Sequence, residues 1–184
     1  RTEGALLPPD ILQSVASLKV DGVSPAAYHL PPGTKLNEAI AHSWSVLQKY
    51  WKGFQEARSR LDPEKTGTEL TNQHWLLPLF EELKYGRLTT GKAPEIDGRT
   101  YPIERFYAQQ PIHLIGCNLP LDRRTTGARG AATSSPYSMM QEYLNRSPDS
   151  VWGFLSNGLQ LRLLRDNISL SRQAYVEFNL EAMM

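Results

Sequence analysis

The stretch VWGFLSNGLQLRLLRD, residues 151–166, decides the fold. Its first part, residues 151–156, is mostly apolar and predicts a strand. Asn157-Gly158 is the strongest hairpin-turn signal in the chain, because this pair tolerates the positive φ that a tight turn requires. Leucines then alternate with polar residues on the return strand. The stretch therefore predicts an antiparallel β-hairpin.

The segments on both sides of this hairpin predict the rest of a mixed sheet. Residues 101–107 and 111–121 have strand patterns, and the second is apolar on both faces, as in a buried central strand. A Ser-Pro pair opens residues 136–146 and predicts a helix that Ser135 caps. Residues 175–180 alternate between apolar and polar side chains and predict a last strand.

Two helices are predicted ahead of the strands. Residues 34–61 carry apolar side chains at steps of three and four, which predicts a helix roughly 40 Å long that Thr34 caps. A second helix is predicted to end at residue 85 and to begin the core, residues 69–180. Pro78 lies inside this helix, and we expect a kink or a later start there.

The order of these elements predicts an α+β fold of α/β-like type, with helices flanking one mixed β-sheet. Residues 1–33 form a proline-rich arm with one short helix capped by Asp10, and residues 34–184 form the domain. The chain starts at Arg1 without an initiator methionine and stops in what resembles the first turn of another element. We therefore expect it to be a piece of a longer protein.

Composition narrows the class of protein without deciding the function. The 184 residues are 40% hydrophobic and 21% charged, with a formal net charge of +1. This composition excludes collagen-like, coiled-coil and wholly disordered chains, and the charge implies that any nucleic-acid binding comes from a local patch. No apolar run approaches the roughly 18 residues of a membrane span, so we expect no membrane contact and a cytoplasmic location.

The residues that carry metal or covalent chemistry form no recognisable motif. The four histidines lack paired-ligand spacing, and we expect His113, on the predicted central strand, to be a hydrogen-bonded structural residue. Cys117 is the single cysteine, which rules out a disulfide or a cysteine zinc site within the chain, and we expect it to be buried and inert. No nucleotide-cradling glycine motif occurs. We therefore predict no catalytic residue and no metal ligand.

The one local charge feature is the loop at residues 122–135, which we expect to be mobile and without core residues. Arginine suits phosphate backbones because its planar fork pairs with phosphate oxygens in a bidentate manner. The alternative is a solvated loop whose charges only keep it soluble. The predicted DNA contacts are Arg123, Arg124 and Arg129, with Arg162 and Arg165 added on the hairpin.

Residues 151–166 also resemble a known pattern, the "WG-hydrophobic-hydrophobic-TNG-x-x-x-R-L" hairpin. It occurs in the N-terminal regions of fused restriction–modification methylases, namely type IIG enzymes and large phage-defence adenine methylases. The sequence YVEFNLE at residues 175–181 resembles the "YxEFDLE" stretch that leads toward the methylase body. Residues 111–116 and 121–125 resemble the large adenine methylase of DISARM-type defence islands. The resemblance covers roughly residues 37–184.

The resemblance implies a restriction-endonuclease-like core of the PD-(D/E)xK type. Its active motif would fall near residues 114–118, where this chain has Gly116-Cys117-Asn118 in place of Glu-x-Lys. Residues 111–121 contain no acidic residue and no lysine, so the resemblance implies a nuclease fold without nuclease chemistry. It also implies that an N6-adenine methyltransferase body follows, with its own S-adenosylmethionine pocket. This fragment itself is expected to hold no cofactor.

Three functional hypotheses follow from these observations. The first is a catalytically silent domain that positions DNA or braces the methyltransferase body, with other defence-system subunits as further partners. The second is a protein-interaction scaffold without DNA contact, which an exposed apolar patch around Trp44, Trp51 and Phe54 would support. The third is an active Mg²⁺ nuclease that uses Glu104 and an acid of the second helix.

Overall fold

The computed structural model describes residues 1–4, 6–166 and 173–184. It has an α+β fold in which a six-stranded mixed sheet lies between helices, as the sequence predicts. Its strand order is β1-β8-β7-β6-β5-β4, and a separate two-stranded ribbon pairs β2 with β3. The strands are β1 Thr2–Glu3, β2 Glu95–Ile96, β3 Arg99–Thr100, β4 Arg105–Tyr107, β5 Gln110–Leu114, β6 Trp152–Ser156, β7 Gln160–Arg165 and β8 Tyr175–Asn179.

The strands β4 to β8 occur along the chain in the order that the sequence predicts. β5 runs parallel to β6, and the other neighbours in the sheet pair antiparallel. Two predicted strands are shorter than expected: residues 101–104 stay outside β4, and residues 115–121 leave the sheet after β5. The chain turns away at Gly116, whose Cα lies so close to the Thr66 carbonyl that a methyl group there would meet it at 1.9 Å.

The hairpin between β6 and β7 confirms the prediction from Asn157-Gly158. The Asn157 side chain accepts hydrogen bonds from the backbone N–H groups of Leu159 and Gln160, at 3.1 and 2.9 Å. It also donates to the Leu119 carbonyl at 2.9 Å. Gly158 has a φ of +82°, a conformation that glycine adopts without steric cost. The turn is therefore fixed both locally and against the segment that follows β5.

One face of the sheet is covered by α5, Pro136–Arg146, and by the segment between β5 and α5. Ser135 caps α5 as predicted, since its hydroxyl accepts a hydrogen bond from the Ser138 backbone N–H at 3.1 Å. Leu155, Leu164 and Tyr175 contribute to this core from the strands. The helix contributes Tyr137, Met139, Met140, Tyr143 and Leu144.

The other face is covered by α2, Leu36–Arg58, and by a kinked helix at residues 68–85. The kinked helix consists of α3 Thr68–Thr71, a π segment Asn72–Leu76, α4 Leu77–Phe80 and a second π segment Glu81–Tyr85. Pro78 cannot donate a backbone hydrogen bond, and wider π turns flank the α-helical turn that contains it. The expected kink is thus accommodated without ending the helix.

Trp51 and Trp75 of this second layer belong to the core. Trp51 and Phe54 of α2 are buried, and Trp51 lies edge-on to Trp75 with ring centroids 5.1 Å apart. The Trp75 indole N–H donates to the Gly158 carbonyl at 2.8 Å, which ties the kinked helix to the hairpin. The apolar patch that would support a scaffold is therefore not exposed at Trp51 and Phe54.

The N-terminal arm is attached to the domain through its first residues. β1 adds to the sheet edge beside β8, which the sequence does not predict. Its short helix α1 is Pro9–Ala16 and its 3-10 turn is Ala26–Tyr28, and neither contains a buried residue. Two predicted caps are wrong, because Asp10 lies inside the first turn of α1 and Lys35 rather than Thr34 precedes α2.

The C-terminal helix α6 is short, Leu180–Met183, and Asn179 caps it by accepting from the Ala182 backbone N–H at 3.1 Å. Within the described ranges, no helix has the length and apolar character to cross a bilayer.

Candidate functional site

The arginine loop, defined here as residues 122–130, is attached at its first residue to a buried arginine of the sheet. Arg162 of β7 donates from Nη1 and Nη2 to the two carboxylate oxygens of Asp122, at 2.6 and 2.8 Å. Its Nε donates to Glu177 Oε2 at 2.7 Å, because Arg162 and Glu177 are opposite each other in the β7–β8 pairing. All three polar edges of the guanidinium are thus used within the protein.

Aromatic rings enclose the same guanidinium. Its central carbon lies 4.2 Å from the centroid of the Tyr175 ring and 5.7 Å from that of Tyr137. Arginine stacks favourably on such rings, and the low local dielectric strengthens its ion pairs. Burial disfavours the charged form, but the two carboxylates outweigh it and raise the pKa of Arg162 above its ordinary value. The hydrogen bonds from Arg162 lower the pKa of Asp122.

This arrangement corrects one predicted DNA contact. The Arg162 side chain is only 3% exposed and already binds two carboxylates, so it cannot reach a phosphate without breaking both pairs. The alternation of leucines around Arg162 gives the face on which it lies. That pattern does not show that the loop and Tyr137 cover this face of the sheet.

A second attachment holds the far end of the arginine loop. The His113 ring nitrogen Nε2 lies 3.1 Å from the Gly130 carbonyl oxygen, and both residues are buried. Burial lowers the pKa of His113 to about 4, so the ring is neutral near pH 7 and donates this hydrogen bond. His113 is therefore the structural histidine that its place on a central strand predicts.

The loop between these attachments is also packed against the core. Ala128 and Ala131 are buried, and the Ala131 backbone N–H donates to the Ala128 carbonyl at 3.0 Å. The Thr125 N–H donates to the Ala131 carbonyl at 2.9 Å. The prediction of a loop without core residues is therefore wrong. Small apolar residues within a polar stretch give almost no hydrophobic signal, which is why the pattern misses them.

The remaining predicted DNA contacts differ in how freely they meet solvent. Arg123 and Arg124 are exposed, and no hydrogen bond or ion pair joins either of them to another residue in the described part of the chain. Arg129 is exposed but forms an ion pair with Glu104. Arg165, at the end of β7, lies 3.4 Å from Asp166 and over the Trp152 ring at 5.5 Å.

The acidic residues considered for a nuclease centre are held in separate contacts. Glu104 pairs with Arg129, and Glu82 of the kinked helix accepts a hydrogen bond from the Ser43 hydroxyl at 2.6 Å. Across residues 1–4, 6–166 and 173–184, no three His, Cys, Asp or Glu side chains are grouped so that they could hold a metal ion. Cys117 is buried, as expected.

Comparison with known proteins finds no matching family model, no similar curated protein and no similar solved structure. The resemblance carried by the hairpin and by residues 175–181 therefore stays a prediction. The geometry of the arginine loop is the strongest observation available on function.

Proposed function

We propose that this chain is a catalytically silent, DNA-positioning domain of a DNA N6-adenine methyltransferase from a restriction–modification or phage-defence system. The observation that carries the proposal is the anchored arginine loop. Arg123 and Arg124 follow directly after Asp122, which is held in place by two hydrogen bonds from Arg162. The loop therefore presents two adjacent cations on a backbone that is fixed at both ends.

Arginines on an ordered loop backbone suit phosphate binding for an energetic reason. A mobile arginine loses conformational entropy when it binds a phosphate, whereas a loop that is already ordered loses less. Phosphate contacts of this kind give affinity and register on the duplex, and they do not read the base sequence. The proposed role is therefore to hold DNA in position and not to select a recognition site.

The wider setting of the proposal comes from the sequence resemblance. In that setting the fold is restriction-endonuclease-like, and the methyltransferase body of the same protein binds S-adenosylmethionine and methylates adenine. The body is then one partner of this domain, DNA is another, and further defence-system subunits and a cytoplasmic location are part of the proposal. Glu104 and Glu82 are each held by a different partner, Arg129 and the Ser43 hydroxyl, and this supports the assignment of DNA binding without cleavage.

The test is a fluorescence-anisotropy titration of the 184-residue chain against a labelled duplex at several salt concentrations. Two phosphate contacts predict that log K falls with log salt at a slope of about −2. The R123A/R124A variant is expected to lose this slope. The matched control is K52A/R60A, which removes two exposed positive charges from the other side of the sheet. If both variants lose the same amount of this slope, the effect depends only on net charge and the assignment of Arg123 and Arg124 is refuted.

A second role, bracing the methyltransferase body, is favoured by the N-terminal arm. Ile11 and Val15 lie on the same side of α1, four residues apart, and are 40% and 46% exposed. The two side chains offer apolar surface outside the described core. A pull-down of a separately expressed methyltransferase body that survives R123A/R124A but is lost in I11D/V15D would assign bracing to the arm.

A further inference from the structure

A second positively charged surface lies at the opposite edge of the sheet from β1. Residues 84–92, KYGRLTTGK, contain three cations and no acidic residue. Arg87 and Lys92 are exposed, and no ion pair joins either of them to another residue that the structure describes. Lys84 lies 3.7 Å from Glu82, so its charge is partly offset. The segment therefore carries two unpaired positive charges about five residues apart.

This segment is held against the edge strand β4. Thr90 forms an isolated β-bridge with Arg105, and the Gly91 backbone N–H donates to the Glu104 carbonyl at 2.6 Å. Arg105 Nη1 donates to the Leu88 carbonyl at 3.3 Å, and Leu88 is buried in the core. The cations at 87 and 92 thus flank a backbone that three contacts fix in place.

An exposed aromatic ring lies on β4, the strand against which this segment is held. Tyr107 of β4 is 44% exposed, and its ring meets that of Tyr85 at 4.9 Å between centroids with an interplanar angle of 74°. Tyr85 in turn lies edge-on to Phe80 and Phe154, at 5.5 and 5.3 Å. The Tyr107 ring is therefore oriented by packed neighbours while much of its surface meets solvent.

We propose that this edge surface, defined by Arg87, Lys92 and Tyr107, binds an unpaired stretch of nucleic-acid strand. One base stacks on Tyr107, and the two cations contact the backbone phosphates on either side. Aromatic rings between fixed positive charges are the usual means of binding single strands without sequence preference. A duplex offers no such base face, because its bases already stack on each other.

The proposal goes beyond the DNA-positioning function and stands independently of it. Tyr107 packs on Tyr85, and Tyr85 in turn packs on Phe154, on the face of the sheet that α2 and the kinked helix cover. The arginine loop lies on the other face, with α5. The two surfaces therefore do not share a residue, and each has its own ligand: duplex phosphates for the loop and an unpaired strand for the edge.

The test is an anisotropy titration of the 184-residue chain with a labelled oligo(dT) of about 12 nucleotides, a length within the usual footprint of single-strand sites. Y107A is expected to weaken oligo(dT) binding on the order of 10-fold, and Y107W is expected to retain it. The matched control is Y28A, since Tyr28 is 47% exposed and lies in the arm. A urea denaturation curve of each variant shows whether the fold is kept.

The charges are tested by R87A/K92A, which should reduce the salt slope for oligo(dT) by about 1.4. Oligo(dT) binding that is equal in wild type and Y107A would overturn the proposal, and so would a wild-type chain that binds duplex but not oligo(dT). The same variants leave the loop intact. The edge surface is tested by oligo(dT) binding of Y107A and R87A/K92A, and the DNA-positioning function is tested by duplex binding of R123A/R124A. The two proposals can therefore be refuted separately.

Discussion

The attachment of the arginine loop through Gly130 predicts a specific pattern of stability loss. A methyl group on Gly130 would lie 2.7 Å from His113 Cε1 and 2.9 Å from its Nε2, which forces one of the two to move. Gly127, three residues earlier, has open space at the same position. Both glycines have similar φ values, +81° and +77°, so the backbone strain of an alanine is nearly the same at both.

The two substitutions therefore separate strain from collision. Gly127→Ala is expected to cost about 1 kcal/mol, the strain of a left-handed alanine. Gly130→Ala adds the overpacking of a buried ring, about 1–3 kcal/mol, for a total of about 2–4 kcal/mol. Each kcal/mol lowers the melting temperature of a chain of this size by about 2–4 °C. Urea unfolding and thermal melting of both variants measure the difference.

Removing the ring provides the internal check. H113A/G130A should lose less stability than the sum of the single variants, because His113→Ala removes the ring atoms that the Gly130→Ala methyl group would meet. If Gly130→Ala and Gly127→Ala lose the same stability, or if the double variant is additive, then His113 does not hold the loop and the argument for fixed cations fails.

Further predictions concern His113, Arg162 and two glycines. The pKa of His113 falls from 6.5 to about 4 on folding, so between these values the unfolded chain binds a proton that the folded chain does not. The contribution of His113 to stability is therefore complete above pH 6.5 and declines as the pH falls toward 4, by about 3 kcal/mol in total. Urea titrations across this range should show the decline in wild type and not in His113→Gln. Arg162→Met should destabilise by about 3 kcal/mol, because it leaves Glu177 buried without its partner, and R162M/E177Q should recover part of that loss in the same assay. Gly53→Ala, at a helical position with open space, should stabilise the protein by up to about 1 kcal/mol, and a loss of stability would contradict the helix geometry. Gly116→Ala should prevent folding, because its methyl group would meet a backbone carbonyl.

The elements that the sequence predicts correctly are fixed by nearby residues. The turn at Asn157 depends on hydrogen bonds from the backbone two and three residues later, and the start of α5 depends on Ser135 and the backbone three positions later. Such signals lie within a few positions, so a single sequence contains them. The α+β class follows from the order of these elements.

The features that the sequence does not reveal depend on distant contacts. β1 pairs with β8 across most of the chain, and nothing in Thr2–Glu3 marks a strand. The surface arginines Arg123 and Arg124 and the buried Arg162 have the same side chain, and only the fold separates them. The edge surface is likewise missed, because Tyr107 and residues 84–92 meet only when β4 and the kinked helix come together.

The two attachments of the arginine loop have a mechanical consequence. Asp122 is tied to β7 and Gly130 to β5, and β6 lies between these strands, so the anchor points are roughly 10 Å apart across the sheet. A force applied to the loop is therefore shared between two interior strands of the sheet, each of which is hydrogen-bonded on both sides. Such strands resist shear far better than an edge strand that can be peeled away. A ligand that bound the loop as proposed would therefore load two interior strands of the sheet and not an edge strand.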